Sequence, residues 1–127
     1  MKTVKIHLNG IYSKGRKEAE IPAMIVGDIA IHRFTNDGEG FGSTWSASHI
    51  PTGSSLQSIQ SDYPFRTRRD ALAWARACWE ACEADWDIVR QHSVFGRGGS
   101  NMPEEAKSAL KRIIEWAREH RYGKKAA

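Results

Sequence analysis

Residues 67–92 read TRRDALAWARACWEACEADWDIVRQH, and the apolar residues of this stretch recur in steps of three and four. That period places them on one face of an α-helix. Thr67 and Asp70, three residues apart, have the spacing of a capping box at a helix N-terminus. The stretch therefore predicts one long helix over residues 67–92. Its apolar stripe is broad, as expected of a helix lying across a sheet, and consists of Leu72, Ala75, Trp79, Cys82, Trp86 and Val89.

A second helix is predicted after the glycine-rich connection that follows the first. Pro103 suits its first turn, and Glu104 and Glu105 complement the positive end of the helix dipole. Its apolar stripe is Ala106, Leu110, Ile113 and Ala117. We expect this helix to end near Arg121.

The first half of the chain has the two-residue period of β-strands. Val4, Ile6 and Leu8 alternate with polar residues and predict a strand. Residues 29–34 and 43–50 predict a hairpin, because a loop rich in Asn, Asp and Gly separates them. Residues 21–26 contain Pro22 and predict an edge strand or an extended connection. The polar residues 13–20 predict a loop or a frayed strand edge.

Strands followed by helices indicate an α+β fold rather than a doubly wound parallel sheet. We expect a small antiparallel sheet of about three to four strands, packed by two C-terminal helices. The chain of 127 residues is predicted to be one domain. Residues 1–65 would form the sheet part, residues 66–122 the helical part, and residues 123–127 a basic tail.

Composition limits the classes of function. Nineteen Lys and Arg against 15 Asp and Glu give a net charge of +4, which excludes a wholly acidic DNA mimic and permits an anionic partner. We see no signal peptide and no apolar run of about 18–20 residues that could span a membrane. The sequence therefore predicts a cytoplasmic protein that does not bind membranes. Cys78 and Cys82 are expected to be reduced, buried side chains, and neither a cofactor nor a metal ion is predicted.

Charge is distributed unevenly, since residues 1–65 are neutral and the net charge lies in residues 66–127. Two charged groups on the first helix are predicted to bind a partner. These are Arg66, Arg68 and Arg69 at its start, and Glu80, Glu83, Asp85 and Asp87 further along. The acidic group could instead pair with the second helix within the chain. The alternative is nucleic-acid binding through the basic second helix and tail, by Lys107, Lys111, Arg112, Arg118, Lys124 and Lys125. The sequence does not decide between the acidic and the basic surface.

Five tryptophans in 127 residues suggest either a large core or an exposed aromatic contact. An exposed indole would be a natural interface anchor. A homodimer is one assembly that such an anchor could serve.

His32 and His49 form the strongest enzymatic candidate. Both lie on the strands of the predicted hairpin, and each is followed three residues later by a threonine, Thr35 or Thr52. Two imidazoles facing one another could serve as acid and base on a phosphate ester. This hypothesis requires that both rings point to the same face of the sheet. The alternative is a structural role, in which each histidine is hydrogen-bonded to a neighbouring hydroxyl group. No catalytic residue is assigned.

Three segments carry a resemblance to known proteins: residues 27–33 (GDIAIHR), residues 45–53 (WSASHIPTG) and residues 65–72 (FRTRRDAL). Over residues 27–92 the chain resembles small uncharacterised proteins of bacteriophages and mobile elements in Proteobacteria. The resemblance implies a non-enzymatic protein that binds a host protein or ribonucleoprotein complex. Such proteins often inhibit bacterial defence systems, CRISPR complexes among them. It transfers no catalytic residue.

Overall fold

The computed structural model describes residues 2–8, 17–33, 42–52, 55–57, 65–93 and 102–120. Five strands form one antiparallel sheet whose spatial order follows the chain. They are β1 (Lys2–Leu8), β2 (Lys17–Val26), β3 (Ile29–Arg33), β4 (Trp45–His49) and the short edge strand β5 (Ser55–Gln57). The helices are α1 (Arg68–Ala81), α2 (Glu83–His92) and α3 (Glu104–Glu119). The predicted α+β class with an antiparallel sheet is confirmed.

Strand alternation gives the sheet two different faces. Ile29 and Ile31 of β3 and Ala47 of β4 belong to the main core, which the helices complete. Ala30 points to the opposite face, where it packs with Ile6, Ile21 and Ala23 of the first two strands. Along β3 and β4, alternate side chains therefore point towards the helices, and the side chains between them point to the opposite face.

Tryptophans fill the main core between sheet and helices. The Trp74 ring lies 5.4 Å from Phe65 and 5.9 Å from Trp116, measured between centroids. Its indole Nε1 donates to the carbonyl oxygen of His120 at 2.8 Å, which ties α1 to the end of α3. Trp45, Trp74 and Trp86 are buried, and Trp79 and Trp116 pack against the core. None of the five is the exposed anchor that the sequence left open.

The second strand is longer than predicted. Residues 17–20, predicted as a loop or a frayed strand edge, are part of β2, where Glu18 forms an ion pair with Lys5 at 2.9 Å. Pro22 lies within the strand, and β2 is not at an edge of the sheet. At Pro22, β2 pairs with β1 alone, because its pairing with β3 covers only residues 24–26. On the β3 side the proline therefore interrupts no ladder, although it has no N–H to donate.

The predicted helix over residues 67–92 is interrupted at Cys82, so the described residues contain three helices where two were predicted. At its start, Thr67 caps α1 as expected, since its Oγ1 accepts from the backbone N–H of Asp70 at 3.1 Å. At the break, the indole Nε1 of Trp86 donates to the carbonyl oxygen of Cys78 at 3.2 Å. The same carbonyl oxygen also accepts from the backbone N–H of Cys82 at 3.2 Å, so it serves two donors at the break. The second predicted helix begins at Glu104 and ends at Glu119.

Both cysteines are buried free thiols, as the sequence predicted. Burial raises the pKa of each thiol, and it is the main cause at both positions. We expect native Cys78 and Cys82 to react with iodoacetamide at least about 100-fold more slowly than an exposed thiol, because the thiolate is the nucleophile. Urea should abolish the protection. Rapid alkylation of either residue in the native protein, measured by mass spectrometry, would contradict this result.

Candidate docking face

Two of the three predicted arginines line a shallow cleft beside α1. Arg68 and Arg69 border it together with Arg76, and Met24, Leu72 and Ala73 supply the apolar part of its wall. The cleft has a volume of about 470 Å³. Arg66 is exposed but does not line it. Sequence reasoning did not assign Arg76, although its place two helical turns after Arg68 and Arg69 indicated the same face.

These arginines form no ion pair or hydrogen bond with any residue that the structure describes. Other arginines are engaged: Arg112 pairs with Asp85 at 2.8 Å, and Arg90 pairs with Asp28 at 3.4 Å. Arg68 and Arg69 also lie in the first turn of α1. A cation there opposes the helix dipole, which costs about 0.3–1 kcal/mol. Helix stability therefore does not explain their position.

The predicted acidic group divides into two parts. Asp85 is half-buried, and its carboxylate accepts from Arg112 of α3 at 2.9 Å, so this residue joins two helices. This is the intramolecular pairing that the sequence offered as an alternative, and the assignment of Asp85 to partner binding stays a prediction. Glu80, Glu83 and Asp87 are exposed and form no ion pair within the described part of the chain. Glu83 stabilises the first turn of α2, because an anion suits that end of a helix.

Two of the three unpaired arginines share one exposed face of the α1–α2 unit with the three unpaired carboxylates. Arg69, Arg76, Glu80, Glu83 and Asp87 follow steps of three, four and seven residues, and all five are exposed. We call these five residues the charged face. It is cationic along α1 and becomes anionic from Glu80 onward. The break at Cys82 does not interrupt it, since burial keeps its helical period through α2.

The basic surface predicted on the second C-terminal helix is weaker than the sequence suggested. The helix α3 contains four basic and four acidic residues. Lys107 Nζ lies 3.4 Å from Glu104 Oε1, and Arg112 forms an ion pair with Asp85. Lys111 and Arg118 are exposed without an ion partner in the described ranges. Lys124 and Lys125, which supplied much of the predicted charge, lie outside the described residues.

The two histidines do not form a common site. His49 pairs with Ile29 and His32 with Ser46, so the rings point to opposite faces of the sheet. His32 Nε2 lies 2.9 Å from Ser48 Oγ, and His49 Nδ1 lies 2.7 Å from Thr52 Oγ1. This geometry removes the two-histidine phosphoesterase hypothesis. Both side chains are buried in the protein interior, and burial lowers both pKa values, that of His49 to about 4.

No family model, no curated protein and no solved structure matches the chain. Among the described residues, no three side chains of His, Cys, Asp or Glu come together as a metal site. None of the helices in the described ranges is long and apolar enough to cross a membrane.

Replacing Arg69 with glutamate tests whether the arginine is there for stability. We expect R69E to raise the free energy of unfolding by about 0.3–1 kcal/mol, because an anion suits the first helical turn. Urea unfolding of dilute protein measures the effect. A loss of more than about 1 kcal/mol would show instead that Arg69 supports the fold.

Proposed function

We propose that this protein is a non-enzymatic binding protein of phage or mobile-element type that occupies a surface of a host macromolecular complex. The expected target is a bacterial defence complex such as a CRISPR complex. The arginines Arg68, Arg69 and Arg76 would contact an acidic surface of that target. The apolar wall formed by Met24 and Leu72 would accept a side chain from it.

One observation carries the proposal: these three arginines have no ionic partner within the described residues, although two of them lie where the helix dipole disfavours a cation. Unpaired guanidinium groups can form bidentate hydrogen bonds with the carboxylates of a partner. An apolar wall beside them adds contact area that does not depend on salt. Complementary charge of this kind chiefly sets the association rate and the choice of partner.

Nucleic-acid binding through α3 is the alternative, and the geometry supports it less. The charges of α3 balance, and two of its four basic residues have acidic neighbours. A helix that neutralises several phosphates needs a surplus of free cations. Under this alternative, the charge reversals K107E, K111E and R112E would abolish binding in a gel shift, and affinity would fall steeply with salt.

A plaquing assay tests the proposed function in cells. Host strains that carry different defence systems are infected with phages that each system blocks, with and without this protein. We expect wild-type protein to restore plaques in at least one strain, and R68E/R69E/R76E to restore about 100-fold fewer, since each buried charge contact is worth several-fold in affinity. The control K111E/R118E, which reverses two charges on α3, should act like wild type. Rescue by the α1 variant equal to that of wild type would overturn the role of the arginines, and no rescue in any strain would overturn the proposed target class.

A further inference from the structure

The charged face has a symmetric order about one residue. Arg69 and Asp87 lie nine residues on either side of Cys78, and Arg76 and Glu80 lie two residues on either side. Every cation on the first half is thus matched by an anion at the mirrored position on the second half. A helical face with this order is complementary to itself when two copies run antiparallel.

We propose that the charged face pairs with a second copy of this chain, antiparallel about a two-fold axis near Cys78. Arg69 then meets Asp87 of the second copy, and Arg76 meets Glu80 of the second copy. The symmetry repeats both contacts, so the interface contains four ion pairs. Glu83 lies between the two anions and adds to the negative potential that attracts the arginines.

The side chains beside the charged face permit close approach of the two helical units. Ala73, Ala77, Ala81 and Ala84 follow along the helices at steps of three and four, and all are exposed. No large side chain stands between the two backbones along this line. Close approach brings the flanking charges of the two copies within ion-pair distance, where they remain exposed to solvent.

The charged residues of this face have no competing partner among the described residues, unlike their neighbours. Asp85 is held by Arg112, and Arg90 lies against Asp28 and over the Trp79 ring. The intramolecular ion pairs of α2 thus lie to the side of the face and leave its cations and anions available. Because exposed ion pairs contribute little individually, the dimer is expected to be weak and sensitive to salt.

Pairing with a second copy covers Arg69 and Arg76, which the proposed function assigns to a host partner. The second copy and the partner therefore compete, and dilution favours binding of the partner. The dimer does not rest on the proposed function. A monomer that binds a partner through these arginines would overturn only the dimer, and a dimer that rescues no phage would leave the dimer standing.

Sedimentation velocity with charge-swapped variants tests the dimer. Protein is measured from about 10 to 500 µM in about 50 mM and about 500 mM salt, which spans weak to strong screening. We expect wild type to dimerise at low salt and to be monomeric at high salt. R69E/R76E and E80R/D87R should each dimerise at least tenfold more weakly, because each presents a face of one sign. An equimolar mixture of the two should form a heterodimer, since the faces are then complementary.

The control K111E/R118E changes the same amount of charge on α3 and should dimerise like wild type. Circular dichroism verifies that each variant is folded, as expected for substitutions at exposed positions. Wild type that is monomeric throughout the concentration range at low salt would overturn the proposal. So would a mixture of the two swapped variants that forms no heterodimer, because restoration of pairing depends on the charges facing one another.

Discussion

Replacing Gly27 with alanine is expected to lower the free energy of unfolding by about 2–5 kcal/mol. Gly27 is in the turn between β2 and β3 and has a φ of 58°. A side chain in this left-handed region costs about 1–2 kcal/mol. The added Cβ would also overlap the ring of Trp79, and overpacking of this kind costs about 1–3 kcal/mol.

The Trp79 ring has little room to move away from a new methyl group. It packs on Trp86 with ring centroids 5.1 Å apart, and the guanidinium of Arg90 covers it at 5.8 Å. Arg90 also holds Asp28, whose carbonyl oxygen accepts from the backbone N–H of Ile50 at 3.0 Å. A displacement at Gly27 would therefore disturb the turn, α2 and the end of β4 together.

A double-mutant cycle separates the two costs. In a Trp79→Ala background the overlap disappears, so G27A should cost only the backbone penalty of about 1–2 kcal/mol. Urea unfolding of the four proteins gives the coupling energy. An equal penalty in both backgrounds would show that Trp79 does not constrain Gly27.

Acidification is expected to destabilise the protein well before its carboxylates titrate. His49 is fully buried, and desolvation lowers its pKa to about 4. In the unfolded chain the imidazole has its ordinary pKa of about 6.5. The unfolded state thus binds a proton that the folded state rejects. Stability is full above pH 6.5 and falls as the pH drops from 6.5 towards 4, by about 3 kcal/mol in total.

Urea unfolding between pH 7 and 4.5 measures this loss, and H49N provides the control. The variant removes the titrating ring, so its stability should fall less between pH 6.5 and 5, where free carboxylates stay ionised. Burial also lowers the pKa of His32, so H49N should retain a smaller dependence of stability on pH. A native His49 ring that titrates near pH 6.5 by NMR would contradict the account.

The features that follow from local periodicity were predictable from sequence. The cap at Thr67 and the apolar stripe of α3 depend on residues within two turns of one another. The break at Cys82 was not predictable, because the apolar period of the sequence continues through it without a proline or glycine. The faces of His32 and His49 likewise required the register of β3 on β4, since a shift of one residue exchanges the two faces of a strand.

The candidate site was predicted in part. The sequence placed Arg68, Arg69 and the acidic residues on one predicted helix. Arg76 follows Arg69 by seven residues, which is the spacing of one helical face. The engagement of Asp85 depends on tertiary packing, because Arg112 is 27 residues away in the chain. Charge counts over a segment could not reveal it, nor could they show which arginines have no partner. Those distinctions decide which charges are available to another molecule.

The central claim is that the arginines of α1, and not the basic residues of α3, bind the partner. Affinity capture from host extract is compared for wild type, R68E/R69E/R76E and K111E/R118E. A component retained by wild type is then purified, and its Kd for each of the three proteins is measured by calorimetry. We predict that the α1 reversal raises Kd at least about 100-fold and the α3 reversal less than about threefold. An α1 variant that binds as tightly as wild type while the α3 variant fails to bind would contradict the claim.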